Sequence, residues 1–127
     1  MFENLKMFET SFAMARHAGA RQAATAANMA NADTPGYRAR HIASFAESYS
    51  AHSASPMKMT RAGHLALDMS SARARTDAGK GEPSPNGNSV SLEQEMINGV
   101  EIQREHNRAL AIYKHSLDVM RLSIGRR

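Results

Sequence analysis

The stretch ANMANADTPGYRAR, residues 27–40, decides how this chain folds. Small helix-forming residues lead to Asn28 and Asn31, and the Thr-Pro-Gly-Tyr tetrapeptide 34–37 follows them. Proline disfavours helical backbone in the residue before it, and glycine supplies the positive φ that the third position of a type II turn requires. We therefore expect a helix to end by about residue 32 or 33 and the chain to turn away over 34–37.

Two asparagines and an aspartate lie at this helix end. Asn28 and Asn31 are three residues apart and therefore share one helix face. A carboxamide both donates and accepts hydrogen bonds. The pair can cap the last helix carbonyls, bond the backbone of the turn, or cross to a neighbouring chain, and the sequence leaves these options open. Asn31 also has the residue type that takes the left-handed conformation at a helix end, and Asp33 can bond its own backbone.

The segment before the turn has helical periodicity. Its residues recur at alternating spacings of four and three, which places them on one seam of a helix. Within an N-terminal segment 1–33 this pattern predicts a helix over about 4–31, roughly 40 Å long. The seam is large and apolar up to Phe12 and small from Ala15 onward. We predict that the following residues pack against other subunits: Leu5, Phe8, Phe12, Ala15, Gly19, Ala26 and Met29.

The last segment, 91–127, has a clear helix start. Ser91 precedes Gln94 by three residues, which is a capping-box pattern, and Glu93 and Glu95 suit the positive end of the helix dipole. A helix over 91–124 follows, and the two long terminal helices predict a mainly α fold built as a coiled-coil-like hairpin. Its predicted subunit-packing residues are Leu92, Met96, Leu110, Tyr113, Leu117, Met120 and Ile124.

The middle of the chain lacks such periodicity. Residues 34–40 form the turn and a basic exit, and 41–90 are expected to be irregular, partly flexible or weakly β. Within that range, ESYSAHSAS (47–55) is a polar loop, and PMKMTRAGHLALDM (56–69) can supply a short strand pair or an irregular turn. The Gly/Pro/Ser/Asn tract GKGEPSPNGNS (79–89) indicates a flexible loop.

Composition limits the size of the core. The 127 residues suit one modest domain, and 42% are hydrophobic, but much of that fraction is alanine and tryptophan is absent. A two-helix hairpin covers one stripe of each helix, so partner chains are expected to cover the remaining apolar side chains. A monomeric helical bundle is the alternative.

Charge leaves several partner classes open. The formal net charge is +4, and the pI is about 9.9. Tyr37 is flanked by Arg38 and Arg40, so a basic helical nucleic-acid-binding protein is an alternative. Neither helix carries a continuous basic face, however, and no nucleic acid is expected. A bilayer span needs about 20 apolar residues in succession, and none is present, so no membrane insertion is expected.

Catalytic and metal-binding patterns are missing. The six histidines form no H-x-x-x-H or H-E-x-x-H pair, and there is no cysteine. The chain has no G-x-S-x-G nucleophile elbow and no glycine-rich phosphate loop after a strand. We therefore predict a protein that is not an enzyme, with no catalytic, metal or cofactor site.

Two motifs resemble the bacterial flagellar axial proteins, the family of rod, hook and related subunits. The first resembles the family's N-terminal signature, and its matching residues are Asn28, Asn31, Thr34, Pro35, Gly36 and Tyr37. The second, PSPNGNSVSLEQEM, is similar to the entry into the C-terminal helix of proximal rod subunits of the FlgB type. Its matching residues are Gly87, Asn88, Val90, Leu92, Glu95 and Met96. The short length separates the chain from the hook and distal-rod subunits, which are much longer. The unbroken NADTPGYRAR and the second motif favour the FlgB type over its FlgC-type sister, which is similar in size.

The resemblance implies a structural subunit of the flagellar basal-body rod, the axle that transmits torque across the periplasm. It implies export through the flagellar type III apparatus without a cleaved signal peptide. The implied partners are copies of the chain itself, rod proteins of the FlgC, FlgF and FlgG types, the rod-base adaptor FliE, and the membrane-ring and export apparatus.

Overall fold

Two long antiparallel helices dominate the fold. The computed structural model describes residues 2–53, 76–78 and 84–125, with side chains over 6–49 and 84–125. Its elements in chain order are α1 (Phe2–Ala30), β1 (Arg40–Ile42), α2 (Phe45–Ser53), β2 (Thr76–Ala78) and α3 (Leu92–Ile124). The terminal helices pack on each other as a hairpin, which confirms the predicted mainly α architecture with two long terminal helices.

The start of α3 agrees with the capping-box prediction. Ser91 is the N-cap in extended conformation, and its hydroxyl accepts a hydrogen bond from the Gln94 backbone N–H. Glu93 and Glu95 occupy the first turn, and Arg121 lies in the last. Each charge therefore favours the end of the helix dipole at which it lies.

The two long helices meet along small and polar residues at heptad spacing. On α1 the buried residues Ser11, Ala18 and Thr25 form this line, each seven residues from the next; His17 and Asn28 are buried beside it. On α3 they are Glu95, Ile102, Ala109 and Ser116, again at intervals of seven. Small side chains at these positions allow the helix axes to approach closely. Within the described part of the chain, the fully buried hydrophobic residues are Ala18, Ala39, Ile102 and Ala109, so the hairpin encloses little apolar volume.

A third helix occupies part of the middle segment. The polar stretch interpreted as a loop over 47–55 lies largely in α2, so that interpretation was wrong through residue 53. The reason is a capping box just upstream. The Ser44 hydroxyl accepts from the Glu47 N–H at 3.3 Å, and the Glu47 carboxylate accepts from the Ser44 N–H at 3.1 Å.

Among the described residues of the middle segment, two short strands pair with each other. β1 and β2 pair antiparallel, with Arg40 opposite Ala78 and Ile42 opposite Thr76. This pair supplies the weak β content expected for the middle. The strand or turn predicted for 56–69 and the first part of the loop predicted for 79–89 lie outside the described residues.

The hairpin has two unlike faces. Residues that precede a buried heptad position, such as His17 and Ala24, lie next to α2 and β1, and this side is called the covered face. Residues that follow a buried position lie on the opposite side, called the open face. In an antiparallel pair the following positions of both helices lie on the same side, so Phe12 of α1 and Met96 of α3 share the open face.

Candidate functional site

The candidate site is a buried polar cluster where the two long helices meet the loops. It joins the end of α1 and the turn (28–40) to the loop 86–89 and to Glu95, and it is called the clasp. In the turn, Gly36 has φ +73°, and the Tyr37 N–H donates to the Thr34 carbonyl at 3.3 Å. Both observations agree with the predicted type II turn, in which glycine takes the positive φ.

Asn28 is the centre of the clasp, and its side chain is completely buried. Its amide nitrogen donates to the Arg40 carbonyl at 2.8 Å and to Glu95 Oε1 at 3.1 Å. Its oxygen accepts from the Arg40 N–H at 3.0 Å and from the Tyr37 hydroxyl at 3.4 Å. The open question about Asn28 is thereby settled: it bonds within the subunit and ties α1 to both β1 and α3.

Asn31 serves the helix end locally. Its amide donates to the Ala27 carbonyl at 2.8 Å, and its oxygen accepts from the Thr34 hydroxyl at 3.2 Å. The expectation that Asn31 takes a left-handed conformation was wrong, because the described residues with positive φ are all glycines. Its N–H donates to the Ala27 and Asn28 carbonyls, which keeps the backbone in a right-handed turn.

Asp33 does not close a local bond of the predicted kind. It is exposed, and its carboxylate makes no hydrogen bond to any residue in the part of the chain that the structure describes. The backbone on either side of Asp33 is instead held by Asn88, whose amide donates to the carbonyls of Ala32 and Thr34.

Asn88 caps the C-terminus of α1 from the loop before α3. Its amide nitrogen lies 3.0 Å from the carbonyl oxygen of Asn31, 2.6 Å from that of Ala32 and 2.9 Å from that of Thr34. The residue is 2% exposed. Carbonyls at a helix end lack partners within the helix. The Asn31 and Thr34 carbonyls also accept from the Thr34 and Tyr37 N–H groups, so the Ala32 carbonyl is the one that depends most on Asn88, which lies 56 residues later.

Two glycine turns lie back to back in the clasp. The Gly36 N–H donates to the Asn86 carbonyl at 3.0 Å. Gly87 has φ +79°, and a Cβ atom built on it would lie 3.4 Å from the Gly36 Cα. A side chain at position 87 would therefore be strained in its own backbone and would press on the opposite turn.

Glu95 places a carboxylate under the clasp. The residue is 2% exposed, although its sequence position suggested only a role at the helix dipole. Oε1 accepts from Asn28 and lies 3.7 Å from His41 Nε2. Oε2 is buried without a hydrogen-bond partner in the described structure. A buried carboxylate is costly unless it is hydrogen-bonded. The hydrogen bond from Asn28 therefore stabilises Glu95 in its buried position.

The roles of Asn88 and Glu95 could not be derived from spacing. Both appear in the motif at the entry to α3, which marks them as part of a signature without saying what they bind. Their partners lie more than 50 residues away in sequence. The available signal was the resemblance itself, because it paired the two motifs in one family.

The predicted subunit-packing residues lie mainly on the open face. Phe12 is 60% exposed, Met96 58% and Leu110 48%. Phe8 and Tyr113 meet edge to face across the two helices, with ring centres 5.3 Å apart. The side chain of Leu5 lies outside the described part. The exposed members of the set are Phe12, Gly19, Ala26, Met29, Leu92, Met96, Leu110, Tyr113 and Ile124, and the half-buried members are Phe8, Ala15, Leu117 and Met120.

The chemistry available to the described residues is binding and packing. In the ranges with described side chains, no group of three or more His, Asp or Glu residues is placed to hold a metal ion. A polar pocket between β1 and the hairpin has a volume of about 70 Å³, well below the roughly 300–1,000 Å³ of typical ligand pockets. No described helix is long and apolar enough to cross a bilayer.

The hairpin is thus closed by a buried, hydrogen-bonded clasp, and large apolar side chains such as Phe12 and Met96 stay exposed on its open face. Residues 14–38 match the family model described as flagella basal body rod protein. The matched range runs from the middle of α1 through the turn. The match supports assignment to the flagellar basal body rod proteins, a family of structural subunits and not of enzymes. A search of the curated proteins found no match.

Proposed function

We propose that this chain is a subunit of the proximal rod of the bacterial flagellum, of the FlgB type. It assembles with copies of itself, with rod proteins of the FlgC, FlgF and FlgG types, and with the rod-base adaptor FliE next to the membrane ring and export apparatus. It reaches the periplasm through the flagellar type III system without signal cleavage. Its work is mechanical: it holds neighbouring subunits in register while the rod transmits torque.

One observation carries the proposal. The family match covers the first motif only, whereas the second motif near residue 90 rests on resemblance. In the structure, Asn88 and Glu95 of the second motif bind the end of α1 and Asn28 of the first. The two motifs are therefore one physical unit, which supports treating the whole hairpin as a rod-family core.

The open face is the proposed contact with neighbouring subunits. Fully burying a large apolar side chain contributes about 1.5–3 kcal/mol relative to leaving it exposed. Phe12, Met96 and Leu110 are each about half exposed or more, and they lie along one side of the hairpin. Covering this side with helices of adjacent subunits supplies the apolar burial that the interior of a single chain lacks.

Deletion of the gene in its host, followed by complementation, tests the function. We expect the deletion strain to be non-motile and to lack rods beyond the membrane ring, and the restored chain to co-purify with isolated basal bodies. Site-specific photo-crosslinking from Phe12 and Met96 in intact basal bodies then identifies the neighbours. Complete rods in the deletion strain would contradict the proposal, whereas crosslinks characteristic of an FlgC-type position would correct only the subunit type.

A further inference from the structure

The short helix α2 rests on the covered face through one buried histidine. The Phe45 ring meets His17 edge to face at 5.7 Å between ring centres, and the Ser48 hydroxyl lies 3.4 Å from His17 Nε2. His17 itself is 4% exposed. A helix of nine residues is marginal in water by itself, so the position of α2 depends on this contact.

The surroundings of His17 suit a neutral ring. Nδ1 is buried and has no hydrogen-bond partner in the described structure. Nε2 faces a hydroxyl, which can donate to an unprotonated nitrogen. A protonated imidazole carries two N–H donors and a charge, and it would need an acceptor at each nitrogen. With α2 docked, no described residue offers Nδ1 such an acceptor, and the charge would be buried at a cost.

The charged groups near His17 belong to the long helices. Arg21, one turn further along α1, is paired with Glu105 of α3. Burial, then the charge of Arg21, lowers the pKa of His17 below its ordinary value of 6.5, and Glu105 opposes them. The α2 groups in contact with the ring, Phe45 and Ser48, carry no charge. Arg21 and Glu105 stay on the hairpin whether or not α2 is docked, so the burial by α2 is what changes.

We propose that α2 is a proton-controlled flap on the covered face, docked while His17 is neutral and released when His17 is protonated. The undocked state, with the ring exposed to water, binds the proton more tightly than the docked state. Docking is therefore complete above about pH 6.5, the ordinary pKa of histidine. It weakens as the pH falls from 6.5 towards the lowered pKa of the docked ring, by up to about tenfold per pH unit.

Amide hydrogen exchange read by NMR on the full chain tests the flap. Exchange is measured at pH 7.5 and 5.5 and corrected for intrinsic exchange rates. We expect the protection of the α2 amides to fall by up to about tenfold at the lower pH. Amides in the α1–α3 hairpin serve as the internal reference and should keep their protection over the same interval.

Two variants separate His17 from other causes. His17→Gln removes the titrating ring but keeps a neutral hydrogen-bond acceptor for Ser48, so α2 protection should become independent of pH. His115→Gln, at an exposed position of α3, should leave the wild-type pH dependence intact. Equal α2 protection at both pH values in the wild type, or an undiminished pH effect in His17→Gln, would overturn the proposal.

An engineered crosslink keeps the test decisive if the isolated hairpin is only marginally stable. The chain has no cysteine, and a Cβ atom at Gly99 would lie 4.0 Å from Thr25 Cγ2. A Thr25→Cys, Gly99→Cys disulfide can therefore hold α1 against α3 after a small adjustment. Repeating the measurement in this background reports on α2 docking with the hairpin held closed.

Discussion

The two ends of the hairpin are held by different forces. At the clasp end the buried groups are polar: Asn28, Asn88 and Glu95 are each at most 2% exposed and bonded to groups of the same chain. At the other end the two helices meet through apolar rings, with Phe8 and Tyr113 edge to face at 5.3 Å between ring centres. Hydrogen bonds are directional and costly to leave unmade, whereas apolar contact is not directional. The clasp end thus fixes its own geometry, whereas the apolar contacts at the other end constrain the helices less strictly.

The largest expected effect comes from placing a second negative charge in the clasp, next to Glu95. Asn28→Asp places a carboxylate beside Glu95 Oε1, which now lies 3.1 Å from the Asn28 amide nitrogen, and removes the donor to the Arg40 carbonyl. We expect the free energy of unfolding to fall by about 3–5 kcal/mol at pH 7, measured by urea denaturation.

Asn31→Asp is the matched control for that change. It makes the same substitution three residues later, where the side chain bonds only Ala27 and Thr34. A negative charge near a helix C-terminus costs about 0.3–1 kcal/mol, so the loss should be small. If the two variants were equally destabilised, charge at the end of α1, and not contact with Glu95, would explain the effect.

Removing the distant cap should have the next largest effect. Asn88→Ala leaves three carbonyls at the end of α1 without the amide that binds them. An unsatisfied buried polar group costs about 1–3 kcal/mol, and water can reach some of these carbonyls, so we expect a loss of about 2–3 kcal/mol. Asn107→Ala, at an exposed position of α3, should change stability by less than about 0.5 kcal/mol. A similar midpoint for both variants in urea would show that Asn88 is not a cap.

A substitution of Gly36 in the turn 34–37 should lower stability less, because it strains the backbone without removing a side-chain hydrogen bond. A Cβ at Gly36 would meet no atom within 4 Å, but φ is +73°. A β-branched residue there should cost about 1–3 kcal/mol through strain alone, and Gly36→Val should also impair motility if the clasp supports assembly. Gly19→Ala, at an open helical position, should raise stability by up to about 1 kcal/mol. An unchanged stability of Gly36→Val would exclude the type II turn.

The sequence predicted what depends on near neighbours. Ser91 and the tetrapeptide 34–37 act within a few residues, and both lie where their local chemistry placed them. Asn88 and Glu95 act across the hairpin, so spacing could not reveal their partners. The Ser44–Glu47 capping box is a local signal for the start of α2. The polar composition of 47–55 nevertheless favoured a loop, so α2 was not predicted.

The hydrophobic pattern also marked a different surface from the hairpin interface. It followed the largest apolar side chains, and several of these, including Phe12 and Met96, lie on the open face. The interior uses Ser11, Ala18 and Ala109, which carry little hydrophobic signal. A periodicity of large apolar residues therefore predicts which face of a helix is buried by some partner. The partner need not be the nearest helix of the same chain.

The open face gives the prediction with the smallest effect on folding. Phe12 is 60% exposed, and its ring lies 5.9 Å from the Arg16 guanidinium carbon, so Phe12→Ser should cost the monomer about 1 kcal/mol or less. Self-association at high protein concentration, measured by sedimentation velocity, should nevertheless weaken. Leu122→Ser is the matched control, because Leu122 is more exposed but precedes a heptad position and lies off the open face. If both variants weakened association equally, general hydrophobicity would explain it; an effect confined to Phe12 would identify the open face as the surface that neighbouring subunits cover.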